Sequence, residues 1–128
     1  GLTRQSLLDG GGTPLGPQEG TLLGRLFESL VTLSVRVLAQ RAEAEVTHLR
    51  TRNGDHEVDL MVSDPSGQVL AIEVKLSGSI SDRDVRHLNW LTNTYRGRIL
   101  DRIVINTGPI AYRRADGIAV VPLALLGP

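Results

Sequence analysis

Four side chains within one short stretch have the types and spacing to handle a cation and an anion together: Glu57, Asp59, Glu73 and Lys75. They lie on two arms, 57–62 and 70–75, each alternating polar and apolar with period two. Between the arms, Asp64-Pro65-Ser66-Gly67 is strong turn chemistry. The spacing predicts an antiparallel hairpin with Glu57, Asp59, Glu73 and Lys75 on one face. Val58, Leu60, Val62, Leu70, Ile72 and Val74 take the other. A turn centred on Ser66 sets Asp59 opposite Glu73 and Glu57 opposite Lys75. Directly opposed side chains have Cβ atoms about 4.5–5.5 Å apart, where like charges are destabilising. Two facing carboxylates therefore call for a cation between them, and Mg²⁺ (or Mn²⁺) suits an oxygen-only donor set. Lys75, two residues beyond Glu73, then offers an ammonium to a phosphate or a water.

The rest of the composition sharpens that reading by what it excludes. Lysine occurs once, at Lys75, against thirteen arginines, so a compact, rotatable charge stands where the chain elsewhere uses planar forks. The formal net charge of zero advertises no general affinity for nucleic acid, so any such contact must be local. Without cysteine there is neither a thiolate metal site nor a thiol nucleophile. No apolar run approaches the ~20 residues that span a bilayer, and no signal-peptide pattern opens the chain. The expectation is a soluble, cytoplasmic domain without membrane contact. Because the chain starts with Gly, it is expected to be a piece of something longer.

The elements that must position the hairpin follow in order. Residues 1–19, rich in Gly and Pro, read as a linker or irregular arm, and 20–128 as the domain proper. From Gln18 to Arg41, Leu22, Leu23, Leu26, Phe27, Leu30, Val31, Leu33, Val37 and Leu38 recur at helical spacing. This helix is apolar around much of its circumference and is expected to pack on a sheet. Glu28 lies on it. Residues 45–52 read as a strand, turned by Asn53-Gly54-Asp55 into the hairpin. His48 and His56 flank that turn and read as ordinary surface histidines. Ser81-Asp82-Arg83-Asp84 opens a second helix to about Arg96, ended by Gly97. Its polar face gathers Arg83, Arg86, His87, Trp90 and Asn93, a composition suited to a nucleic-acid backbone or a protein partner. Residues 101–106 read as a buried strand parallel to 70–76. A last hairpin pairs 110–113 with 118–121, and 122–126 begins a final helix.

The order is α-β-β-β-α-β plus a C-terminal hairpin, an α/β domain with a mixed central sheet flanked by helices. Asp59, thirteen intervening residues and Glu73-Val74-Lys75 resemble the core signature of the PD-(D/E)XK nuclease superfamily, with Val58 in place of the usual Pro. That superfamily has this order of elements in its restriction-endonuclease-like core. More narrowly, Gly24-Arg25-Leu26-Phe27-Glu28, Glu57-Val58-Asp59-Leu60 and 71–77 resemble the nuclease-like domain that follows an AAA-type ATPase module in bacterial and archaeal chains. The resemblance implies Mg²⁺ or Mn²⁺ bound by Asp59, Glu73 and the Val74 carbonyl, with Glu28 completing the site. It implies Lys75 orienting the attacking water, DNA as substrate and an ATPase as parent or partner. A homo-oligomer is compatible with it. The alternative is a catalytically silent module of the same fold, used for DNA docking or protein interaction in the service of an ATPase.

Overall fold

The computed structural model describes residues 21–95 and 97–126, so the readings placed on 1–19, on 18–20 of the first helix and on Arg96 lie outside the described residues. Helix α1 runs Leu22–Arg41. Thr21 starts it, its hydroxyl accepting the Gly24 N–H at 2.9 Å and so satisfying one of the unpaired donors of the first turn. The side formed by Gly24, Phe27, Val31, Val35 and Ala39 is buried. The helix packs on the sheet as expected, but only part of its apolar circumference is used. Leu26, Leu30, Leu33, Val37 and Leu38 are exposed, because a helix lying on one face of a sheet buries one side only.

Among the described residues, six strands form a mixed sheet in the order β1-β2-β3-β4-β6-β5. They are β1 Glu45–Arg50, β2 Glu57–Ser63, β3 Val69–Val74, β4 Ile99–Asn106, β5 Tyr112–Arg113 and β6 Ala119–Pro122. The first three form the expected antiparallel meander. Asp64 fixes its second turn: its Oδ1 accepts the Ser66 and Gln68 N–H groups, both at 2.9 Å, while Gly67 takes φ +89°. Strand β4 runs parallel to β3, as the β-branched run 103–105 predicts. The terminal hairpin is part of the same sheet, since β6 pairs parallel with β4. The expected last helix is a short 3₁₀ turn, Leu123–Leu126.

The second helix is shorter than its periodicity suggests. A 3₁₀ turn, Asp82–Val85, leads into α2, Arg86–Thr94. Asp84 reaches back to accept the Ser81 N–H at 2.9 Å, the acidic half of the expected capping box. The helices cover opposite faces of the sheet and define two apolar clusters. On the α1 side lie Phe27, Val31, Val35, Leu60, Ile72, Val74 and Ile105. On the α2 side lie Val58, Ala71, Val85, Leu88, Leu91, Val104, Ile118 and Val120.

Val58 and Leu60 thus face opposite ways, which strict alternation forbids. The cause is a β-bulge. Strand β1 pairs Thr47 with Met61 but Leu49 with Val58, so the single residue His48 stands against two, Asp59 and Leu60. The expectation that Val58 shares a face with Leu60 and Ile72 is therefore corrected. The extra residue reverses the alternation at the position that bears Asp59.

Candidate metal centre

The observed pairing of β2 with β3 joins Leu60 to Ile72, Met61 to Ala71 and Val62 to Leu70. Continued by one residue, this register sets Asp59 against Glu73, as the Ser66-centred turn predicts. The strand ladder ends at Leu60–Ile72, and there a side chain replaces the missing main-chain partner. Asp59 Oδ2 accepts the Val74 N–H at 2.8 Å. Ala71 points to the α2 side and Ile72 and Val74 to the α1 side, so Glu73 points to the α2 side. The site lies at the carboxyl ends of the parallel strands β3 and β4, where open α/β sheets bind their ligands.

Burial sets its electrostatics. Glu73 is 6 % exposed, and its Oε1 has no hydrogen-bond partner. Desolvation first, and the Asp59 charge second, push its carboxyl up to about 9. Desolvation also raises Asp59, opposed by the Val74 N–H, by a hydrogen bond from Glu73 and by the charge of Lys75. At neutral pH Glu73 is the protonated member of the pair and shares that proton with Asp59. A divalent cation would replace it: carboxylates crowded closely enough to share a proton are a charge-matched donor pair for a hard ion. Among the described residues no three Asp, Glu, His or Cys side chains converge. The residues present nevertheless fit Mg²⁺, which keeps several waters and is commonly held by one or two carboxylates.

The other predicted site residues are placed as follows. Lys75 directly follows β3, its main-chain N–H bonded to the Ile105 carbonyl at 2.9 Å. Its Nζ is 4.0 Å from Asp84 Oδ1, and it acts electrostatically on both Asp59 and Glu73. Glu57 forms its ion pair with Arg50 on β1, Nε to Oε1 2.8 Å. Glu28 is half-buried on the first helix. The buried side of that helix, α1, meets Ile72 and Val74, and Glu28 lines a shallow depression with Arg25, Ser29, Thr32, Leu33 and Arg36.

Trp90 is not the open stacking platform that the helical spacing suggests. It packs against the α2-side core, and His56 stacks on its indole with centroids 4.0 Å apart and planes 8° from parallel. His56 Nδ1 lies 3.2 Å from His87 Nδ1, and Arg86 Nε lies 3.3 Å from His87 Nε2. Burial, helped by the charges of Arg86 and His56, pulls His87 below its usual value. Arg83 and Arg86 remain exposed.

One residue escaped the sequence reading. Asn106, at the carboxyl end of β4, is fully buried, and neither its Nδ2 nor its Oδ1 has a partner. Val104 points to the α2 side and Ile105 to the α1 side, so Asn106 shares the face of Glu73. Gly108 makes room for it: a Cβ there would lie 3.0 Å from Asn106 Nδ2 and 3.1 Å from the Gly78 carbonyl. The only sequence signal was a polar residue closing an apolar β-branched run.

No helix among the described residues is long and apolar enough to cross a membrane. No curated protein and no solved structure matches the chain. A family of unknown function, DUF4143, matches residues 23–126, nearly the whole described domain. On that match, the chain belongs to the DUF4143 family.

Proposed function

We propose that the domain is a metal-dependent nuclease-like unit of restriction-endonuclease-like fold, hydrolysing DNA phosphodiesters as part of, or partner to, an AAA-type ATPase. One observation carries this reading. The buried pair Asp59–Glu73, with the unpartnered Glu73 Oε1, lies beside the chain's single lysine at the carboxyl ends of β3 and β4. Asp59, Glu73 and the Val74 carbonyl would hold Mg²⁺ or Mn²⁺. When bound, such a cation supplies Lewis acidity and a more acidic water.

The chain's own residues do the rest. The bulge and the Val74 N–H orient Asp59, while Glu73 must surrender its proton before it can serve as a ligand. Lys75 orients the attacking water and offsets charge growing on the phosphate, a role in which removing one donor typically costs about 10²–10³ in rate. Asp84, 4.0 Å away, holds the ammonium in place meanwhile.

A second reading is a silent module that docks DNA or protein. It is favoured by the net charge of zero. Calorimetric titration of Mg²⁺ and Mn²⁺, alongside plasmid and branched-DNA cleavage, separates the two. Binding lost in Asp59→Ala and Glu73→Ala, with nicking also lost in Lys75→Ala, supports the nuclease. A wild-type protein that binds neither metal at millimolar concentration refutes it.

A further inference from the structure

Helix α1 carries apolar surface that its own sheet does not use. Leu26, Leu30, Leu33 and Val37 are 37 %, 55 %, 61 % and 42 % exposed. Their spacing of four, three and four residues aligns them in one narrow stripe along the helix. The stripe lies on the side away from Phe27, Val31 and Val35, which face the sheet. A four-three repeat of large aliphatic residues is the seam that one helix presents to another. Isolated exposed leucines are ordinary; a continuous row of them marks an interaction surface.

The charges beside the stripe select the occupant. Arg25 and Arg36 border it on one side and Arg41 on the other, all exposed. The only acidic residue of the helix, Glu28, lies away from the stripe, toward the sheet-facing side. Glu43 and Glu45 come only after the helix has ended. Two copies meeting stripe to stripe would bring three arginines from each side and no acidic residue of the helix to face them, an unfavourable match. A helix lying on a lipid surface sets its apolar side against a strongly charged, Lys/Arg-rich face; here Ser29, Thr32, Ser34, Gln40 and Glu28 dilute the three arginines, so the polar face is too weakly basic for that role.

We infer that the Leu26-Leu30-Leu33-Val37 stripe of α1 is the docking surface for an amphipathic helix of a partner protein whose apolar seam is flanked by acidic residues. This surface is separate from the carboxyl pair, which points to the opposite side of the sheet, so it stands whether or not the domain cuts DNA.

The test uses the full 128-residue chain and two fluorescein-labelled 21-residue helical peptides, both with Leu at the two seam positions of each heptad. One carries Glu at the four flanking positions, the other Lys; like charge keeps each peptide monomeric. Fluorescence anisotropy should show the Glu peptide binding at least tenfold more tightly than the Lys peptide. Its affinity should fall as salt is raised and drop at least tenfold in Leu30→Asp. Because Leu30 is already solvent-exposed, Leu30→Asp should keep the wild-type circular dichroism and melting curve. Equal affinity for the two peptides, or none for either, overturns the inference. So does a wild-type dimer in sedimentation that Leu30→Asp dissociates, which makes the occupant a second copy. Co-pelleting with phosphatidylglycerol vesicles, lost in Leu30→Asp while neither peptide binds, makes it a lipid surface and also overturns the inference.

Discussion

The Asp59 carboxylate accepts the main-chain N–H of Val74 at 2.8 Å, so a side chain continues a ladder that the backbone of β2 has already left. One oxygen of the candidate ligand is thereby committed to holding the strand ends together. Replacing Asp59 by Ala orphans the Val74 N–H in a half-buried setting and should cost about 1–3 kcal/mol in urea denaturation. Asp59→Asn keeps an acceptor of the same reach and should lose under about 1 kcal/mol. Both variants should lose metal binding in calorimetry. Equal destabilisation by Asn and Ala would mean that the charge, not the hydrogen bond, holds the strands.

The proton on Glu73 makes stability depend on pH in a known direction. Its carboxyl titrates near 4.5 in the unfolded chain and is raised to about 9 in the fold by burial and by Asp59. The native state therefore keeps a proton that the unfolded state releases. That contribution is complete below 4.5 and is lost as pH rises through about 9. Within the window, stability should fall with pH at a slope of up to about 1.4 kcal/mol per unit. Urea midpoints measured from pH 5 to 9 should show this decline, and Glu73→Gln should flatten it.

The same proton opposes metal. Mg²⁺ and Mn²⁺ affinity should rise by up to about tenfold per pH unit below 9, because each ion bound displaces one proton. Calorimetry in buffers of different ionisation enthalpy reads that proton directly. Affinity independent of pH would place the metal elsewhere.

The His56–His87 contact predicts a second, smaller effect at the acid end. His87 is pulled below its ordinary 6.5 by burial first and by Arg86 and His56 next. A depressed folded value means that stability is fully present above 6.5 and is lost as pH falls below it. A second proton on the pair would also set two cations 3.2 Å apart across the hairpin turn and α2. Trp90 fluorescence should report loosening of the stacked His56 as pH falls from 7 to 5, and His87→Gln should remove most of that change.

Asn106 should separate stability from function. Its amide is fully buried with both polar atoms unpartnered, so the fold bears its desolvation without return. Asn106→Leu, which keeps the branched outline of the side chain without its polar atoms, should unfold at equal or higher urea concentration than wild type. If the amide serves a ligand at the Glu73 face, the same variant should lose activity or metal affinity while remaining folded. Gly108→Ala drives a Cβ to 3.0 Å from Asn106 Nδ2 and should instead destabilise the fold, by about 1–3 kcal/mol.

Several of these features were legible in the chain itself. Asp64, Ser66 and Gly67 fix a turn whose register brings Asp59 to Glu73, because local hydrogen bonds and one left-handed glycine suffice to set it. The β-branched run 103–105 announced a strand buried on both faces, and the three-strand meander followed from its turns. Local chemistry acts over a few residues, and so can be read from them.

Other features belong to tertiary structure alone. The bulge at Asp59 and Leu60 arises from the pairing of β2 with β1, a relation between residues about a dozen positions apart that alternation within β2 does not contain. The side of α1 that would be buried was ambiguous because leucines occupy several of its faces; the sheet took Phe27, Val31 and Val35 and left the Leu26–Val37 row in solvent. Trp90 read as exposed because its helical neighbours are polar, yet His56, from a distant turn, covers it. Glu73 and Asn106 are ordinary polar letters in a string. Only packing two helices onto one sheet removes them from water, and that removal gives the carboxyl its proton and the amide its missing partners.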